Sequence, residues 1–316
     1  MGLVRLKGIK MKHIVSARQF DKHTIARIFE EADDCRRGRK ETCSSKTMAT
    51  LFYEPSTRTR LSFEAAMHKL GGNVISTENA AQFSSAIKGE SLEDTIRVVS
   101  SYVDCIVLRH PEENSAERAS RFSDVPIINA GDGQGEHPTQ ALLDLYTIRR
   151  ELGEIDNKNY CLVGDLRNGR TIHSLVYLLS LYENIHIDFV SPKQVSLPEN
   201  ILKFIIEKNI SVEFFDSMKK ARVVKPDVVY MTRLQVERMS SDMNSMPSSC
   251  QLSEEDMKWF KEDCIIMHPL PRREEVPAWV DNDPRAAYFR QVTNGLWLRT
   301  GLIQWLLNVS SNFHSC

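Results

Sequence analysis

The sequence predicts an α/β protein of two doubly wound parallel-sheet domains, joined near residues 130–140. Three observations predict it. Short apolar runs alternate with stretches of helical periodicity along almost the whole chain. The runs fall into two groups on either side of the Gly-rich stretch NAGDGQGEHPTQ, residues 129–140. The residues that follow most runs are polar and rich in arginine, and in open α/β sheets ligands bind beyond the carboxyl ends of the strands.

Taken in order, the first group of strands is expected at 47–52, 73–76, 105–108 and 125–129. The second is expected at 160–163, 185–190, 212–215, 227–230 and 264–267. Between them lie helix patterns. Leu92, Ile96 and Val99 share one face after Gly89, and Ile172, Leu175, Val176 and Leu179 recur at i, i+3, i+4, i+7. Strands that alternate with helices imply right-handed β-α-β crossovers and hence parallel sheets. A last helix at about 294–307 follows an Asn-Gly turn signal and by its pattern can pack on either half. The Ser- and Met-rich stretch MSSDMNSMPSSC, 239–250, reads as a mobile loop.

The 316 residues are ample for two cores, and 41% hydrophobic with 26% charged is ordinary globular composition. A net charge of −1 gives no global attraction to nucleic acid or an anionic membrane, so any basic patch is local. The seven cysteines lack C-x-x-C or paired spacing, and Cys105, Cys161 and Cys264 sit in apolar runs, as buried thiols of a reducing compartment do. No apolar run approaches the roughly 18–20 residues of a membrane span. The start, MGLVRLKGIKMK, lacks a secretory apolar core and has Leu6 where myristoylation expects Ser or Thr. It is basic and acid-free, so the expected address is cytoplasmic with organelle import left open. Asn308-Val309-Ser310 matches a glycosylation pattern that has no meaning in that compartment.

The strand exits carry the chemistry. They read EPSTRTR, RHP, GDGQGEHPTQ, GDLRNGRT, TRLQVER and HPLPRRE; five of the six contain arginine, and the other contains His137 and Gln140. Pro55-Ser56-Thr57 is a good helix start, which by itself is an ordinary cap. Arg58 and Arg60 sit in or beside the first turn, where the helix dipole disfavours cations by roughly 0.3–1 kcal/mol each. A bound anion, best a phosphate, resolves that conflict, with Glu54 as salt-bridge partner for a site arginine. GDLRNGRT resembles a nucleotide phosphate loop with Arg170 for lysine, but Asp165 inside it and the different chemistry of arginine argue against that. His137 and Gln140, three apart, can reach one carbonyl. MHPLPR frees backbone carbonyls at a rigid turn, while His110 and His268, each before a proline, read as structural. No metal-ligand spacing, G-x-S-x-G or paired-acid motif occurs.

FYEPSTRTRLSFE, SSAIKGES, VLRHP, EHPTQALLD, GDLRNGRTIHS, TRLQVER, MHPLPR and DPRAAYFRQ stand in this order across nearly the whole chain. Together they resemble the aspartate carbamoyltransferases of the aspartate/ornithine carbamoyltransferase superfamily. Ornithine-type relatives share the S-x-R-T loop and H-P-x-Q, but usually lack the lysine of KGES and carry cysteine where this chain has Pro269.

The resemblance implies transfer of the carbamoyl group of carbamoyl phosphate to L-aspartate, without cofactor or metal. It places the carbamoyl-phosphate domain at 1–137, completed by 294–316 through a returning C-terminal helix, and the aspartate domain at 138–293. It implies that Ser56, Thr57, Arg58 and Thr59 hold the phosphate and that Arg109, His137 and Thr59 polarise the carbonyl. Gln140 and the carbonyls of Pro269 and Leu270 receive the carbamoyl NH₂, and Arg170, Arg233 and Gln235 clamp the aspartate. Ser84 and Lys88 match residues supplied by a neighbouring subunit, implying a homotrimer with shared sites; Lys88 and Leu270 also face aspartate. Glu54 matches the acid that pairs with Arg170 and Arg238 and links the domains on closure. Val236 and Ile87 depart from the family pattern without removing an assigned group. An ornithine-type enzyme, a catalytically silent scaffold of the same fold and a nucleotide-binding protein are the alternatives.

Overall fold

The computed structural model describes residues 12–39, 42–78, 89–235 and 247–311. The chain divides into two compact units: Met1–Gln19, Ala26–Gly135 and Leu296–Cys316 form one, and Phe20–Ile25 with Glu136–Gly295 form the other.

The first unit holds a four-stranded, all-parallel sheet of β1 (Thr47–Phe52), β2 (Asn73–Glu78), β3 (Cys105–His110) and β4 (Ile127–Asp132), in the order β2-β1-β3-β4. Its helices include α1 (Lys22–Arg36), whose first turn belongs to the other unit, α2 (Thr57–Lys69), α3 (Leu92–Ser100) and α4 (Ser115–Ser120). The expected apolar stripe of α3 is real: Leu92 and Ile96 are buried and Val99 packs on the same cluster with Ala49, Ile106 and Leu108. Ser91 caps that helix, accepting from the Asp94 N–H at 3.1 Å.

The second unit holds a five-stranded parallel sheet of β5 (Asn159–Val163), β6 (His186–Val190), β7 (Ser211–Phe215), β8 (Val228–Met231) and β9 (Ile265–Met267), in the order β7-β6-β5-β8-β9. Here α5 (Pro138–Leu152), α6 (Arg170–Leu179), α7 (Glu199–Glu207) and α8 (Glu254–Trp259) accompany the strands. Strands β5 and β8 read as nearly unbroken apolar runs because both faces are covered, the expected pattern for a parallel sheet between helices. Each sheet therefore has one place where chain order reverses, between β1 and β3 in the first and between β5 and β8 in the second. A crevice opens at such a point because the two crossovers leave in opposite directions.

Three sequence expectations change. β4 runs later than 125–129, through Gly131 and Asp132. The stretch 239–250 is not loop throughout: 239–246 lie outside the described residues, but Ser248–Cys250 form a 3₁₀ turn with Cys250 buried, pinned where Met218 N–H donates to the Ser249 carbonyl at 2.8 Å. The last helix, α9 (Tyr288–Ser311), runs straight through the supposed Asn294-Gly295 turn. A mid-helix glycine costs only about 0.5–1 kcal/mol relative to alanine. Burial of Asn294, whose amide reaches the Thr147 hydroxyl at 3.4 Å, and of Leu298 and Leu302 further along overrides it. From Leu296 onward α9 belongs to the first unit, so the C-terminal helix returns to the N-terminal domain. The six described cysteines are buried; burial pushes the Cys264 thiol up to about 12. Among the described residues no helix is long and apolar enough to cross a membrane.

Candidate active site

In the first unit the candidate residues gather at the β1/β3 reversal. Tyr53 N–H donates to the Arg109 carbonyl at 2.9 Å, extending the β1–β3 ladder one residue past Phe52. The β3–β4 register shifts between Leu108 and His110, so Arg109 sits at an irregularity of the kind that re-aims a side chain. Its guanidinium lies 2.8 Å from the Glu54 carboxylate and donates to the Ala130 carbonyl at 3.2 Å. The acid expected beside a site arginine is thus paired with Arg109. His110 is a turn residue: its Nδ1 accepts from the Glu112 N–H at 3.1 Å, its ring lies against Tyr53, and burial lowers its pKa.

Helix α2 begins at Thr57 with Ser56 as its N-cap, as the sequence suggests, yet the Ser56 hydroxyl accepts none of the first-turn N–H groups. Thr59 is buried, and Arg58 is exposed. Arg60 is different. It donates to Glu78 at 2.9 Å and to the Ser76 hydroxyl at 3.2 Å, and lies 3.5 Å from Glu64. Glu64 also accepts from Thr50 at 3.0 Å and Ser76 at 2.7 Å. The conflict between Arg60 and the helix dipole is answered by two carboxylates within the unit, so Arg60 does not call for an external anion.

In the second unit the residues gather at the β5/β8 reversal. Gly164, at φ +121°, follows β5 so closely against β8 that a Cβ there would stand 2.1 Å from the Thr232 carbonyl oxygen. The loop then turns inward. The N–H groups of Leu166 and Arg167 donate to the Val195 carbonyl, Asn168 N–H to the Asp165 carboxylate at 2.9 Å, and Arg170 N–H to the Asn168 carbonyl at 3.0 Å. A phosphate loop needs such N–H groups aimed outward at its ligand, so the resemblance of GDLRNGRT to one is superficial. Asp165 is fully buried and also accepts from the Gln235 N–H at 3.1 Å, while the Gln235 amide donates to the Asn168 carbonyl at 2.7 Å. Thus one carboxylate sets the chain at Gln235, two residues past Arg233. Arg170 is buried at the first position of α6. Gly169 precedes it where a Cβ would stand 2.3 Å from the Asp165 carbonyl oxygen.

His137 caps α5 with Pro138 following; its backbone N–H donates to the Ser174 hydroxyl at 2.9 Å and its ring is buried. Gln140, buried one turn on, donates its amide to Asp144 at 2.9 Å. After β9, Leu270 holds φ +55°, a conformation a branched side chain rarely adopts. His268 fixes it. Its Nδ1 accepts from the Leu270 N–H at 2.8 Å, so Nε2 carries the proton and donates to Glu275 at 2.9 Å. Glu275 also accepts from the Arg273 N–H at 2.8 Å. Burial favours its neutral form, but these bonds outweigh it and hold the carboxyl below its usual range.

Ser84 and Lys88, and Arg238, lie outside the described residues, as do Ile87 and Val236. Sequence reasoning missed Asp144, Tyr230, Gln291 and the ordering role of Asp165; Asp144 alone had a visible signal, its four-residue spacing from Gln140.

Two switch-point sheets, each with arginines and buried polar groups at its reversal, define an α/β protein built to hold small anionic ligands. The chain belongs to the aspartate/ornithine carbamoyltransferase family. The family's carbamoyl-P binding domain model matches residues 12–150 and its Asp/Orn binding domain model matches 156–306. Aspartate carbamoyltransferase 1, chloroplastic, of Pisum sativum is 48% identical over 94% of this chain and 79% of that protein. The aspartate carbamoyltransferase catalytic subunit of Thermoplasma volcanium is 46% identical over 95% of this chain and 99% of its own length. Among solved structures, Trypanosoma cruzi aspartate transcarbamoylase with carbamoyl phosphate and aspartate superposes at TM-score 0.86 and 40% identity, covering 93% of this chain and 96% of that one. The catalytic subunit from M. jannaschii superposes at 0.85 and 46% identity, covering 94% and 98%.

Proposed function

We propose that this protein is an aspartate carbamoyltransferase. The aspartate amine attacks the carbamoyl carbon of carbamoyl phosphate, the carbon–oxygen bond to phosphate breaks, and the amine proton leaves with the departing phosphate, giving N-carbamoyl-L-aspartate. The observation that carries this reading is that both sheets put arginines at their reversal points, Arg58 and Arg109 in one, Arg170 and Arg233 in the other. Two anionic substrates repel each other, and such cations offset that repulsion. No protein nucleophile is required. Positioning lowers such barriers by about 7–11 kcal/mol. Donors on the developing oxyanion add roughly 2.7–4 kcal/mol each by mutational precedent.

In this reading Ser56, Thr57, Arg58, Thr59 and Arg109 bind the phosphate, and Thr59, Arg109 and His137 polarise the carbonyl. Gln140 and the Pro269 and Leu270 carbonyls take the carbamoyl NH₂; Arg170, Arg233 and Gln235 take aspartate; Glu54 and Arg238 serve closure. Ser84 and Lys88 act from a neighbouring subunit of a homotrimer. The setting is de novo pyrimidine biosynthesis in the cytoplasm, with organelle import open, as the Pisum sativum relative is chloroplastic by name.

A carbamoylation assay comparing aspartate with ornithine tests the substrate: turnover of aspartate is expected, and ornithine turnover without it overturns the assignment. Mixing Arg58→Ala and Lys88→Ala chains tests shared sites: partial recovery is expected, and none in confirmed mixed trimers counts against them.

A further inference from the structure

A single buried carboxylate holds the acceptor groups proposed for the carbamoyl amine. Asp144, one turn after Gln140 on α5, is fully buried. Its Oδ1 accepts from the Gln140 amide at 2.9 Å and the Gln291 amide at 2.6 Å, and its Oδ2 accepts from the Tyr230 hydroxyl at 2.8 Å. Burial, followed by the Asp144 charge, pushes the Tyr230 phenol well above its ordinary range, so it remains a donor. Three donors on two oxygens is the pattern of an ionised carboxylate, which can only accept.

That acceptor-only character has a geometric consequence. An untethered glutamine amide can present either its oxygen or its NH₂, and the two ends have nearly the same shape. Against Asp144 only one orientation makes a hydrogen bond. The Gln140 NH₂ is held inward and its oxygen is turned the other way. Gln291 is oriented by the same rule: its NH₂ faces Asp144 and its oxygen accepts from the His268 N–H at 3.0 Å. His268 begins the turn that carries the Pro269 and Leu270 carbonyls, and the turn is clamped from its other side by the His268–Glu275 bond.

We infer that Asp144 is the positioning residue for recognition of the carbamoyl amine, presenting the Gln140 oxygen as an acceptor and, through Gln291, steadying the turn at 268–270. The inference rests on the functional reading above, in which these acceptors receive the carbamoyl NH₂. Its consequence is selectivity. Acetyl phosphate has a methyl group where carbamoyl phosphate has NH₂, so it gives these acceptors no donor and leaves them unpaired.

The test measures carbamoyl phosphate KM, with acetyl phosphate and inorganic phosphate as competitive inhibitors, in the full-length protein. Asp144→Asn is expected to lower the preference for carbamoyl over acetyl phosphate about tenfold, the loss of roughly one well-made hydrogen bond, with phosphate inhibition nearly unchanged. Gln140→Ala is expected to lose a similar factor, and adding Asp144→Asn to it should lose little more. Tyr230→Phe removes a hydroxyl that meets both Asp144 and Gln140 but leaves the Gln140–Asp144 bond, so it should lower the melting temperature and keep most of the preference. If Asp144→Asn does not fold, Gln291→Leu carries the test, with a loss of about threefold. Native preference in the decisive variant, or equal weakening of all three ligands, overturns the inference. A native protein with no preference for carbamoyl phosphate sinks the functional reading instead, before any substitution is made.

Discussion

Replacing Arg58 and Arg60 separately by alanine should split stability from activity within one helical turn. Arg60 is one-fifth exposed and binds Glu78, itself 43% exposed, so that pair contributes about 0.5–1 kcal/mol after solvent screening. The Glu64 contact at 3.5 Å is marginal, and the Ser76 bond adds about 0.5–1 kcal/mol. Arg60→Ala should therefore cost about 1–2 kcal/mol, or roughly 3–6 °C in melting temperature for a domain of this size. Its kcat/KM should stay within about twofold of native, because Glu64 keeps its Thr50 and Ser76 donors. Arg58 is exposed, and its truncation should lower the melting temperature less than Arg60→Ala does. Losing a charge-assisted bond to phosphate, about 1.5–3 kcal/mol, should reduce kcat/KM for carbamoyl phosphate roughly 10–100-fold. The assays are differential scanning fluorimetry and initial-rate carbamoylation. Equal loss of turnover in both variants at native melting temperature, or native turnover in Arg58→Ala, would refute the division.

Three further outcomes follow from the geometry. Gly164→Ala should prevent accumulation of folded protein, since the new Cβ meets backbone at 2.1 Å at a positive φ; a native-like melt would contradict the close approach of β5 and β8. Asp165→Ala strands the buried Asn168 N–H donor, at about 1–3 kcal/mol, and frees the half-buried Gln235 N–H at a smaller cost. It should raise the aspartate KM far more than the carbamoyl phosphate KM; equal effects on both would count against its ordering of Gln235. His13 is held neutral, its pKa lowered to about 4, first by burial and then by Lys12, while its Nδ1 accepts from the Ile127 N–H at 3.1 Å. The folded pKa lies below the unfolded value of about 6.5, so the stability it contributes is present above pH 6.5 and is lost as pH falls from there towards 4. His13→Asn, which keeps an acceptor but does not titrate, should flatten that part of the melting-temperature profile; an unchanged slope would remove His13 as its source.

Much of this molecule is legible in its sequence. Apolar runs and helical periodicity placed all nine strands among the described residues to within a few positions, because strand burial and helix faces are local patterns. Residue type also located the polar strand exits, and the ordered motifs carried the family resemblance. Other features depended on groups far apart in the chain. Strand order brings β1 beside β3 and β5 beside β8, which pairs four of the six polar exits at two reversal points. Arg60 looked like half of an anion site until folding brought Glu78, eighteen residues away, against it. GDLRNGRT looked like a phosphate loop until its N–H groups were seen to turn toward Val195 and Asp165. Asn294-Gly295 looked like a turn until burial carried α9 through it. The Asp144 hub joins residues at 140, 230 and 291. A local pattern states which way a side chain faces and whether it prefers water; which distant carboxylate, carbonyl or amide it meets is decided only when the chain closes on itself, because a buried polar group must then find its partner within the protein.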